Sequence, residues 1–192
     1  MKLKLSEIRK ILRENSDEKV KLSCLKFIPS CKKFYGVKIP LLEKVAKKIK
    51  EPNFDLVESL WKGKFFEEKM LAVKILAKIC KKNPERALKL LKRFSKNISD
   101  WAICDTLATQ GIRKIVKEKT QEIFNLSKKL IYSRNFWQRR FGIVLLLELY
   151  RQGFDKKKIE NLLKIVEGDK EKYIRKVVVW LKNELKKIKI FL

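Results

Sequence analysis

Ser99–Gln110 reads SDWAICDTLATQ, and its register against three other stretches decides the fold. Within it Trp101 and Asp105 stand four residues apart, so on a helix they share one face. Phe66–Met70 reads FEEKM, Trp137–Phe141 reads WQRRF and Tyr173–Val177 reads YIRKV. Their leading aromatics, with Trp101, recur at spacings of 35, 36 and 36 residues. That period belongs to stacked helical hairpins. Each aromatic is a core signature first, and Trp137, Arg140 and Trp180 are also candidate partners of the Trp101–Asp105 face in a binding groove. Four positions after each comes Met70, Asp105, Phe141 or Val177, so one carboxylate occupies a slot that its siblings fill with hydrophobes. Such an acid needs a cationic partner, a capping role or a chemical task.

Working outward, apolar residues recur at three- and four-residue steps almost throughout, and β-type alternation is nearly absent. The chain is expected to be all-α, one solenoidal domain over residues 1–192. Residues 1–50 form N-terminal helices, over 5–13, 16–27 and, after Gly36 and Pro40, the stretch ending near Lys50. About four helix pairs follow over 53–188: 53–61 with 65–81, 84–96 with a helix from Asp100, 120–132 with 136–151, and 156–166 with 170–187. Ser6 and Ser16 are candidate caps early on, and Asn83, Asn135 and Asp155 stand where later caps belong.

Lys and Arg number 49 against 22 acids, a formal net charge of +27 spread along the whole chain. A polyanion relieves that self-repulsion, which makes nucleic acid the first partner to consider. Three positions after each aromatic of the frame the chain has Lys69, Cys104, Arg140 and Lys176. Stacked repeats would align the three cations as a stripe able to follow a phosphate backbone, and Arg140 alone can fork onto a carboxylate or phosphate. Tyr35 and Lys38, in the loop before Pro40, are further candidate ligand contacts.

Histidine is absent, which removes His-based catalysis and imidazole metal sites. Cys24, Cys31, Cys80 and Cys104 show no metal-type spacing and fall at apolar positions, as buried thiols of a reducing compartment would. No cofactor and no metal are expected. Without a long apolar run or a leader-like N-terminus, the protein is expected to be soluble and intracellular, with no membrane partner. One carboxylate among aromatic faces suits the departure of a leaving group from a sugar carbon, where a fixed anion and indole faces stabilise an oxocarbenium-like transition state. A cationic N-alkylpurine leaves as a neutral base and needs no second acid. The residues alone also admit a non-catalytic DNA-binding module for branched or damaged duplexes, and a protein-interaction scaffold.

The W-x-x-x-D of Trp101 and Asp105, the N-x-W-x-x-R of Asn135, Trp137 and Arg140, and Trp180 in YIRKVVVW resemble the AlkD-like DNA alkylation repair family, from about Tyr35 to Trp180. The resemblance implies a right-handed superhelix of HEAT-like hairpins whose basic inner face binds double-stranded DNA. It implies a cytoplasmic, nucleoid-associated monomer of a prokaryote. It further implies base excision by monofunctional hydrolysis of the N-glycosidic bond of lesions such as 3-methyladenine and 7-methylguanine. Asp105 matches the family's catalytic acid, Trp101 and Trp180 its deoxyribose contacts, and Arg140 its backbone contact. Arg139 precedes Arg140, and a one-residue shift of the alignment exchanges their roles.

Overall fold

Phe136–Arg151, FWQRRFGIVLLLELYR, is apolar on nearly all sides and is buried from Arg140 through Tyr150. A helix of that kind must lie at the centre of its neighbours. The computed structural model describes residues 3–187, and its α-helices are α1 (Leu5–Glu14), α2 (Glu18–Phe27), α3 (Ile39–Lys48), α4 (Phe54–Trp61), α5 (Phe66–Ile79), α6 (Pro84–Phe94), α7 (Trp101–Thr109), α8 (Thr120–Ile131), α9 (Phe136–Arg151), α10 (Lys156–Val166) and α11 (Lys172–Lys187). No strand occurs among the described residues. The ends of the expected domain, residues 1–2 and 188–192, lie outside them.

The second helices form one row. α5 touches α7, α7 touches α9 and α9 touches α11, while α4, α8 and α10 pair with α5, α9 and α11 as the first helices of their hairpins. The chain is therefore an all-α stack of helical hairpins, as the 35- and 36-residue spacing requires. A single contiguous set of buried apolar residues runs from Leu3 to Leu185. α8 and α9 approach closely at Gly142, where an added Cβ would lie 3.0 Å from the Ser127 carbonyl, and the Ser127 hydroxyl donates to the Gly142 carbonyl at 2.7 Å.

Asn83, Asn135 and Asp155 cap their helices as expected, each accepting from a first-turn N–H, and Asn53 does the same for α4. Two early expectations change. Ser6 lies inside α1, and the cap of α2 is Asp17, whose Oδ1 accepts from Lys19 and Val20. The Ser16 hydroxyl instead donates to the Tyr35 carbonyl at 2.5 Å. The expected helices over 65–81 and 84–96 each end in a short 3-10 turn, Cys80–Lys82 and Ser95–Asn97.

Three acids on helices are 1% exposed: Glu67, Glu68 and Glu148. Glu67 accepts from the backbone N–H groups of Tyr35 (3.0 Å), Gly36 (2.8 Å) and Val37 (3.1 Å), which pins the 28–38 loop to α5. Gly36 must be glycine there, with φ +87° and an added Cβ only 2.4 Å from the Asp17 carbonyl. Glu68 receives the Arg9 Nε at 2.6 Å, and Glu148 the Arg113 Nε at 2.9 Å. These ion pairs tie distant helices together. Glu67→Ala would strand three buried amide donors, so we expect a loss of about 3 kcal/mol or more. A fall in the thermal midpoint on the order of 5–10 °C should be seen by circular dichroism.

Candidate functional site

The first turns of α7 and α9 are set by side-chain caps, one buried and one exposed: Asp100 accepts from the Ile103 N–H at 2.8 Å, and Asn135 from the Trp137 N–H at 2.8 Å. Those starts place Asp105 on α7 opposite Arg140 on α9. Arg140 Nε donates to Asp105 Oδ1 at 2.9 Å and Nη2 donates to Oδ2 at 2.6 Å, a bidentate pair. Its Nη1 donates to the Tyr173 carbonyl at 2.7 Å, at the start of α11. One guanidinium thus fastens three successive helices of the row.

The pair lines an open cleft of about 450 Å³ with Trp101, Tyr173, Lys176, Val177 and Trp180. The Arg140 side chain is 8% exposed and that of Asp105 19%, so the acid keeps an edge toward solvent. Burial pushes the Asp105 carboxyl above the ordinary aspartate range, while the guanidinium pulls it back only in part. Burial works against the charge on Arg140, but the hydrogen-bonded carboxylate outweighs it and holds the guanidinium charged. Behind the pair, burial drives the Cys104 thiol well up, which keeps it a neutral core group.

Five residues named from the sequence therefore meet in one place: Trp101, Asp105, Arg140, Lys176 and Trp180. The other candidates lie elsewhere. Trp137 is 7% exposed, packed under Tyr173 with ring centroids 4.8 Å apart. Arg139 faces away from the cleft, donating to Asp169 at 2.7 and 3.2 Å and to the Ser133 and Arg134 carbonyls. Tyr35 is buried, stacked on Phe65 at 4.0 Å with its hydroxyl toward Glu68. Lys38 is exposed at the start of α3. Lys69 sits over the Trp61 ring at 5.8 Å, in a separate notch with Lys62 and Asn97.

The cationic stripe expected from Lys69, Arg140 and Lys176 is thus interrupted, because its middle member spends its donors on Asp105 and Tyr173. Tyr173 and Val177 are lining residues that the sequence reading left to the core. Their signal was the same repeat register, read there as packing. Among the described residues no group of three or more His, Cys, Asp or Glu could hold a metal ion, and no helix is long and apolar enough to cross a membrane.

Stacked helical hairpins with a carboxylate–guanidinium pair between two tryptophans define the class: a helical-repeat protein with an acid-bearing aromatic cleft. The family model for DNA alkylation repair enzymes matches residues 8–189, and the chain belongs to that family. Its fold is similar to the solved structure of a predicted DNA alkylation repair enzyme from Enterococcus faecalis, at TM-score 0.73 and 15% identity, covering 90% of this chain and 84% of that one. No curated protein matches at a significant level.

Arg140→Ala would leave Asp105 without its cation and three helices without their fastening. We expect a loss of about 2–3 kcal/mol, the low side for a buried pair because the acid has a solvent edge. Arg139→Ala should cost less in stability and leave the Asp105 cleft intact. Denaturant unfolding of the two variants checks this order.

Proposed function

We propose that the protein is a DNA glycosylase that hydrolyses the N-glycosidic bond of cationic alkylated purines, of the 3-methyladenine and 7-methylguanine type, in duplex DNA. Asp105 carries the reading: an ionised carboxylate with a solvent edge, held rigid by Arg140 in a cleft walled by Trp101 and Trp180. The chain's membership of a DNA alkylation repair family supports DNA as the partner and alkylation damage as the substrate. So does a net charge of +27, which favours a polyanion at moderate salt.

The chemistry follows from charge. An N-alkylpurine already bears the positive charge that a general acid would otherwise supply, so the C1′–N bond breaks with its electron pair passing to the base. The base leaves neutral, and positive character moves onto the deoxyribose. Asp105 faces that charge, and the indoles of Trp101 and Trp180 add cation–π attraction. Arg140 engages one lone pair on each carboxylate oxygen, and each oxygen has a second with which to orient water. Water adds to C1′, its proton passes to solvent by way of the carboxylate, and an abasic site remains. Lys176 at the lip of the cleft is placed to meet a phosphate. No metal or cofactor enters this scheme.

A second reading, a non-catalytic module that binds damaged or branched duplexes, is favoured by one observation: both oxygens of Asp105 are engaged by Arg140, as in a purely structural ion pair. Base release separates the two. Purified protein should liberate 7-methylguanine from methylated duplex DNA in the presence of a chelator, and Asp105→Asn should keep binding while its turnover falls on the order of 10²–10³-fold. Binding without release in the wild-type protein would favour the module.

The acid must be ionised to act, and its pKa is raised. Below that pKa it is neutral and the rate falls, so the acid limb of kcat/KM should lie above the roughly 3.9 of a free aspartate. A pH–rate profile measures the limb, which Asp105→Asn should abolish.

A further inference from the structure

Among the described α-helices, α2 alone buries none of its side chains. Its last residue, Phe27, is 76% exposed, more than any other large hydrophobic of the described chain. A single exposed apolar residue is ordinary on a protein surface. The position of this one is not. Trp101 Nε1 donates to the Phe27 carbonyl at 3.3 Å, so Phe27 adjoins the residue that walls the Asp105 cleft.

Its mount is fixed at both ends. The Asp17 N–H donates to the Gly36 carbonyl at 3.2 Å at the start of α2, and beyond Pro29 the Phe66 N–H donates to the Lys33 carbonyl at 2.9 Å. Glu67 clasps residues 35–37 behind this loop. A ring left in water on a braced segment forgoes the gain that burial would bring. Its near neighbours in sequence, Lys26, Lys32 and Lys33, are exposed cations, which suit a phosphate-bearing partner better than an apolar protein face.

We propose that Phe27 is a base-stacking residue, its exposed ring receiving a nucleobase of bound duplex DNA next to the nucleotide held at the Asp105 cleft. This rests on the DNA reading of that cleft and adds a contact outside it. Every base offers a π-face, so the contact is indifferent to sequence. It would favour a duplex already unstacked at a damaged step, since an apolar side chain entering a base step must displace stacking. Phe27 thereby acts as a selector for weakened steps, whereas Asp105 acts on the sugar.

The test compares wild type, Phe27→Ala and Phe27→Trp on two duplexes, one undamaged and one with a central tetrahydrofuran abasic analogue beside a 2-aminopurine. We expect Phe27→Ala to bind the abasic duplex on the order of tenfold more weakly and to lose the change in 2-aminopurine fluorescence. Phe27→Trp should restore both, and the salt dependence should be unchanged because no cation is removed. Binding and fluorescence of Phe27→Ala within about twofold of wild type would overturn the stacking role. So would a lowered thermal midpoint with no rescue by tryptophan, the mark of a packing role. If wild type binds neither duplex, the DNA reading falls and takes this inference with it. If wild type binds and releases base while Phe27→Ala is indistinguishable from it, only the stacking role falls.

Discussion

The bracket that Arg140 makes between Asp105 and the Tyr173 carbonyl holds the site together. It joins α7, α9 and α11 through one planar cation, so the cleft is not a gap that the helices happen to leave. The bidentate geometry sets the orientation of the carboxylate and of the helix that brings Lys176 and Trp180 to the cleft. A lysine offers a point charge in place of a fork and could not hold both oxygens and a carbonyl in one plane. A carboxylate held this way is organised before any ligand arrives, the condition under which a fixed charge contributes most to a developing cation.

The chain's acids are spent mainly on architecture. Glu67, Glu68 and Glu148 are buried, with amide or guanidinium partners that connect segments about 30 or more residues apart in sequence. Asp169 holds Arg139, and Glu58 holds Arg86 and Arg93. Much of the lysine complement stays on the surface with no comparable buried partner, and this produces a basic exterior. Self-repulsion of that exterior opposes folding, and the buried ion pairs and the long apolar core offset it.

The division between legible and illegible residues follows periodicity. Aromatics at 35- and 36-residue intervals, apolar residues at helical steps and capping residues at helix starts are local properties, and they marked the hairpins and their limits. Asp105 was legible for the same reason, as the odd residue in a repeated slot. Trp137 and Arg139 were misplaced by the same logic, because a repeat register says which helix face a residue occupies but not which neighbour claims it. Trp137 is claimed by Tyr173 and Phe136, and Arg139 by Asp169. Glu67 was invisible, since its partners are backbone amides of a loop some 30 residues earlier.

From its sequence alone this protein is an all-helical, strongly basic chain built of repeated hairpins, with one acid where its siblings have hydrophobes, because periodicity, charge and capping act within a few residues of each other. Which cations pair and which remain free, and which aromatics face the core and which the cleft, was decided only by tertiary structure. Those outcomes depend on contacts between segments far apart in the chain, where two side chains compete for one partner and geometry chooses between them.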